Sequence, residues 1–171
     1  MKLKSYLLFV LSLYAVSASA AQVCVDEYPE TAPTHRFEID SVNMTVIDLK
    51  TGLMWQLCEA GLSGAACEEG ESAAVTWDSA LQYPQTLNVS GGYAGYNDWR
   101  LPNINELSSL MERRCYLPSV NLDVFANTTS TWFWSASPYA RNNSQAWSAS
   151  FTTGVSRGSS RSVPFAVRLV R

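Results

Sequence analysis

Four cysteines, Cys24, Cys58, Cys67 and Cys115, follow a leader-like start, and they restrict this chain more than any other feature. Lys2 and Lys4 precede an apolar run from Tyr6 to Val16, and Ala18-Ser19-Ala20 has the small-x-small form of a cleavage site. Residues 1–20 are therefore expected to be a signal peptide cut after Ala20, since the run is shorter than the ~20 residues of a spanning helix. An even cysteine count behind such a leader predicts two disulfides in an oxidising compartment, periplasmic or extracellular. Three pairings are possible. Proximity in sequence favours Cys58–Cys67, closing a short acidic loop rich in Gly and Ala, and leaves Cys24–Cys115 to tie the N-terminal segment to the end of a later helix. Zinc is the competing use of cysteine, but there is no Cys-x-x-Cys pair and His35 is the single histidine. No metal and no cofactor are expected.

Without its first 20 residues the chain has 151 residues, enough for one domain with its own core. It then carries 10 basic and 15 acidic side chains, a net charge of −5, which disfavours nucleic-acid binding. The charge is uneven. Residues 21–80 hold 11 acids and 2 bases, whereas after Asp123 there are five arginines and no acid. That distribution is either ordinary solvated charge or a basic C-terminal face suited to an anionic glycan or surface.

Residues 21–36 have little periodicity and read as an arm held by Cys24 rather than as a layer of the core. Thr45-Val46-Ile47 and Leu53-Met54-Trp55-Gln56-Leu57 read as a hairpin around the turn Asp48–Gly52. Residues 58–74 are a loop by composition. Thr76 is a good N-cap, and Trp77, Ala80, Leu81, Pro84 and Leu87 predict a helix from 77 to 83 or 87, with Pro84 kinking or ending it. Residues 88–97 read as a loop. A second helix is expected from 103 or 104 to 113 or 114, with Ile104, Leu107, Leu110 and Met111 on one face. Strands are expected at 131–135, 145–151 and 163–170, with Gly154 and Gly158 in the last turn. The sum is an α+β domain of two helices on antiparallel sheets, stapled by disulfides.

The segment Tyr96-Asn97-Asp98-Trp99-Arg100-Leu101-Pro102-Asn103-Ile104-Asn105-Glu106-Leu107 joins an extended stretch to a helix start. Leu101 is biased away from helix by Pro102, and Asn103 with Glu106 can form a capping box. Together with Asp48, Thr51-Gly52-Leu53-Met54-Trp55-Gln56, Thr76-Trp77, Ala80-Leu81, Trp134-Ser135 and Val167-Arg168-Leu169-Val170-Arg171, it resembles the bacterial Lcl C-terminal domain family of collagen-like adhesins. The resemblance implies a domain over residues 37–171, exported, linked in that family to glycosaminoglycan binding and to trimerisation. A fainter similarity is to the sulfatase-modifying (formylglycine-generating) family: a Trp-x-x-Ala helix, Arg-Leu-Pro before a Glu-bearing helix and a terminal Arg strand. It implies a C-type-lectin-like fold; that family's copper-binding cysteine pair near the C-terminus is missing here.

Asp98, Trp99, Arg100, Pro102, Glu106 and Arg168 are expected to be structural, holding a loop through hydrogen bonds and a buried ion pair. Trp132, Phe133 and Trp134 are consecutive, so a strand must turn Phe133 away from the other two. Phe133 then either stacks on a sugar ring near Tyr139 or covers the other sheet face. Arg141, Arg157 and Arg161 lie among Asn, Ser and Gly in expected loops, where guanidinium groups suit sulfate and carboxylate. They either bind such groups or balance the acidic half. Neither a Ser-His-Asp set, nor a phosphate loop, nor a rigid carboxylate pair is visible, so catalysis is not expected. The sequence thus predicts a non-catalytic adhesion or glycan-recognition module at the bacterial envelope. The alternative is an assembly subunit of a surface fibre that binds an envelope protein.

Overall fold

The computed structural model describes residues 21–171, so the expected signal peptide lies outside the described residues. The chain is α+β: the described residues form ten short strands in four antiparallel sheets and two α-helices, stapled by two disulfides. Both expected pairings, Cys58–Cys67 and Cys24–Cys115, are formed.

The arm carries β1 (Val23–Cys24), which pairs with β7 (Cys115–Tyr116) so that the two bridged cysteines sit directly opposite. It does more than hang from that staple, contrary to expectation. Ala32 and Arg36 are buried, and the Glu112 carboxylate accepts from the backbone N–H groups of Thr31 and Ala32. The reason is polar satisfaction, because a buried arm needs partners for its backbone and Glu112 supplies them.

β2 (Phe37–Asp40), β3 (Thr45–Asp48) and β4 (Leu53–Gln56) form the first three-stranded sheet. The expected hairpin is there: Val46 opposes Trp55, both fully buried, and the chain reverses at Gly52, whose φ of +72° suits glycine. β5 (Leu62–Ser63) and β6 (Glu69–Gly70) make a small ribbon beside the Cys58–Cys67 loop.

α1 spans Trp77–Val89 and runs through Pro84, beyond either expected end. Pro84 falls on the inner stripe with Trp77 and Ala80, so its burial against the core offsets the backbone hydrogen bond it removes. Thr76 stands at the N-cap, but its hydroxyl donates to Ser79 Oγ rather than capping the backbone. α2 spans Ile104–Ser109, starting where expected and ending a turn early. It stops because Met111 leaves to bridge Val120 and Glu112 turns to the arm.

β8 (Trp132–Pro138), β9 (Gln145–Ser150) and β10 (Val155–Ser160) form the second three-stranded sheet, in the order β10-β9-β8. The Ser- and Gly-rich Val155–Ser160 was expected to be a turn and is a strand. Gly158 belongs to its ladder, opposite Trp147, and a Cβ there would sit 2.8 Å from the Tyr139 ring. The expected strand at 163–170 is instead an extended run with a new neighbour every few residues: Val75 and Phe165, Phe133 and Ala166, then Val170 with both Trp55 and Arg100. It threads between the two sheets, so Phe165 through Val170 are all buried, and Arg168 with them.

Candidate functional site

Alternation along β8, β9 and β10 divides the expected ligand-binding residues between two faces. Phe133, Trp147, Gly158 and Ser156 lie on one face; Trp132, Trp134, Ser148 and Arg157 lie on the other. The first face packs against α2. Phe133 is fully buried there, 4.6 Å from the Phe151 ring, so it is no platform for a sugar and covers the inner face of the sheet. Tyr139 lies on this side too, edge-on to Trp147 at 4.9 Å and against Gly158. Tyr139 and Phe133 therefore do not form an exposed pair.

The opposite face holds the two arginines that the structure does bring onto related ground. Arg157 is on β10, not in a loop as expected, and its guanidinium carbon stands 4.0 Å from the centre of the Trp132 ring. Arg161, just after β10, stands 4.2 Å from the centre of the Trp77 ring and donates from Nε to Gln145 O. The rings are fixed from below. Phe165 stacks on Trp132 at 6.0 Å and packs tilted against Trp134 at 4.6 Å, Trp77 Nε1 donates to Ser135 O at 2.8 Å, and Trp134 Nε1 donates to Val75 O at 2.9 Å. Placement over a ring orders each guanidinium in advance and leaves the Nη groups of both without a hydrogen-bond partner among the described residues. Neither arginine has a carboxylate partner among the described residues, and neither has Arg141, which is exposed in the turn between β8 and β9. Trp77 and Trp132 are the part of this site the sequence did not reveal, because nothing in the chain links residue 77 to residue 161.

The residues expected to be structural make the following contacts, with one correction. Trp99 is buried, donates from Nε1 to Tyr93 O at 2.9 Å, and exchanges hydrogen bonds with the Asn88 side chain. Asn103 and Glu106 form the full capping box, and Arg100 pairs with Glu106 through two 2.8 Å bonds. Pro102 is buried behind that cap and accepts from Ala136 N–H through its carbonyl. Asp98 and Arg100 do not build a buried ion pair, however. Asp98 pairs with Arg171 at the surface, and Arg100 is half exposed. The buried pair lies elsewhere, between Arg36 and Asp48, where Arg36 Nε donates to Oδ1 at 2.7 Å and Nη2 to Oδ2. Arg168 is internal, as expected. It donates to the carbonyls of Gln56 and Leu57 and to Thr128 Oγ1, and burial pushes its pKa down to about 10 against the opposing charge of Glu59.

Among the described residues no cluster of three or more His, Cys, Asp or Glu side chains is placed to hold a metal ion, and no helix is long and apolar enough to cross a membrane. Two disulfides fit a compartment outside the cytoplasm. Comparison with curated proteins gives no match. The family model described as the Lcl C-terminal domain matches residues 44–171, from the start of β3 through both helices and the β8–β10 sheet to the buried terminal run. The chain belongs to the Lcl C-terminal domain family.

Proposed function

We propose that this chain is an exported, non-catalytic binding module of the bacterial envelope, with a C-type-lectin-like scaffold that recognises an anionic glycan through Arg157 and Arg161. The observation that carries this reading is the pair of guanidinium groups held over the Trp132 and Trp77 rings without acidic partners among the described residues, in a chain whose acids outnumber its bases. A sulfate or carboxylate on a sugar offers the planar, paired acceptors these groups lack. Stacking has already restricted their rotamers, so less entropy is lost on binding. Membership of the family is consistent with an adhesion setting, and the two arginines support the chemistry.

The test is calorimetric titration of the mature protein with a sulfated oligosaccharide and with its desulfated form. Binding is expected for the sulfated form, weakening as salt rises. Charge-assisted hydrogen bonds contribute about 1.5–3 kcal/mol each, so Arg157→Ala or Arg161→Ala is expected to weaken binding by roughly ten- to a hundredfold. Equal binding of both oligosaccharides, or of neither, refutes the proposal. Co-purification of one envelope protein with a glycan-blind domain points to the assembly-subunit reading instead.

A further inference from the structure

A second polar cleft lies on the other side of the β8–β10 sheet from the Arg157–Arg161 rim. Its volume is about 330 Å³, inside the range of small-molecule sites at about 300–1,000 Å³. Three parts of the chain wall it: the arm, the turn between β3 and β4, and α2 with the residue pair that follows it. No carboxylate is among its lining residues. Its floor is Arg36, whose charge is already met by buried Asp48 and whose Nη1 donates to Ser109 O at 2.9 Å. That ion pair fixes the turn against α2 and leaves the floor nearly neutral.

The walls differ from the floor in having donors to spare. Lys50, in the turn, is exposed and its ammonium has no partner among the described residues. Arg113 is exposed as well, and among the described residues its side chain donates one hydrogen bond, a 3.4 Å bond from Nη1 to Gly154 O, leaving most of its N–H groups free. The Asn105 amide, on the outer side of α2, has no side-chain hydrogen bond among the described residues, while its backbone N–H is taken by the Asn103 cap. Two cations and an amide, from the turn and from α2 with the residues after it, thus line one cleft rimmed with hydroxyls. The hydroxyls are orientated already: Thr51 donates to Asp48 at 2.7 Å, and Ser108 is paired with Ser156. They present lone pairs to a ligand's own hydroxyl donors.

We infer that this cleft is a binding site for a monosaccharide-sized, hydroxylated molecule bearing one carboxylate, sulfate or phosphate group, held between Lys50 and Arg113. The oxyanion takes the two cations and the Asn105 amide, and the ligand hydroxyls donate to the fixed hydroxyl oxygens. A free tetrahedral ion would leave much of the volume and all of these acceptors unused. Arg36 belongs to a segment the matched family region does not include, so the cleft is completed by this chain's own arm. The site stands apart from the rim proposed above, and either can fail without the other.

The test uses the mature protein titrated with glucuronate, glucose 6-phosphate, inorganic sulfate and inorganic phosphate, followed by backbone amide shifts. Saturable binding of at least one sugar acid is expected, with shifts at residues 50, 105 and 113. Lys50→Gln with Arg113→Gln together are expected to weaken it at least tenfold. Both residues are exposed, and an unchanged thermal midpoint verifies that the double variant is folded. Arg157→Ala with Arg161→Ala is expected to leave this binding within twofold. No saturable binding by either sugar acid overturns the inference, as does equal affinity for the free ions. Binding that survives the loss of Lys50 and Arg113, or that disappears with Arg157 and Arg161, overturns it too.

Discussion

Replacing Asp48 by Asn removes one negative charge from a position with no solvent exposure. In the native chain Asp48 Oδ1 accepts from Arg36 Nε at 2.7 Å and from Lys50 N–H at 3.0 Å, and Oδ2 accepts from Arg36 Nη2 and from Thr51 Oγ1. The variant keeps the shape but turns an amide N–H₂ toward groups that are themselves donors. The Arg36 guanidinium, itself buried, is left without a counter-charge. Removing one partner of a buried ion pair costs about 3–5 kcal/mol, a large share of the roughly 5–15 kcal/mol that holds a domain folded. For a domain of this size each kcal/mol moves the thermal midpoint by about 2–4 °C, so a fall of roughly 6–20 °C is expected. Urea unfolding followed by tryptophan fluorescence measures the loss directly. Arg36→Met and the double variant complete a cycle, and a coupling energy of at least about 2 kcal/mol is expected from a pair whose members cannot be buried singly. A loss below 1 kcal/mol in Asp48→Asn, or a coupling energy near zero, would show that the arm is not locked to the first sheet by this contact.

Two further outcomes follow from the carboxylates. Glu106→Ala removes both its side of the capping box and the partner of Arg100, and is expected to cost about 1–2 kcal/mol by chemical denaturation, with the binding of any glycan at Arg157 unchanged. Acid should also weaken the fold. The hydrogen bond from Arg100 holds Glu106 below its ordinary value of 4.5. Burial pushes Asp48 up, but the hydrogen bonds from Arg36, Thr51 and Lys50 N–H outweigh it and leave Asp48 below 3.8. Both groups therefore hold fewer protons folded than unfolded. Their stabilisation is complete above the ordinary carboxylate range and is lost as pH falls through the lowered folded values. Denaturation measured between pH 6 and 2 should show this decline, less steeply in Glu106→Gln.

The local features of this chain were legible where neighbours in sequence decide them. The Asn103–Glu106 capping box, the turn at Asp48–Gly52, the hairpin around it and the nearby Cys58–Cys67 bridge all depend on residues within about a dozen positions of one another. The burial of Arg168 and the structural role of Trp99 came from the family blocks. The misreadings share a different cause. Val155–Ser160 has the composition of a loop and becomes a strand only because β9 offers it a ladder. Val163–Val170 has the alternation of a strand, yet no single neighbour runs beside it long enough to make one. Phe133 alternates with two tryptophans, but whether its face meets water depends on α2, which packs there.

The candidate sites show the same division. Sequence by itself determined that the chain would be α+β, that it would be stapled by two disulfides, and that five arginines with no acid among them would follow Asp123. It could not choose among those arginines. Tertiary structure decided that, by placing Trp132 and Trp77 beneath Arg157 and Arg161 and by closing Lys50, Asn105 and Arg113 around one cleft. The physical reason is that charge and periodicity are properties of a residue and its near neighbours, whereas a binding surface is made by groups that only packing brings within a few ångströms of each other.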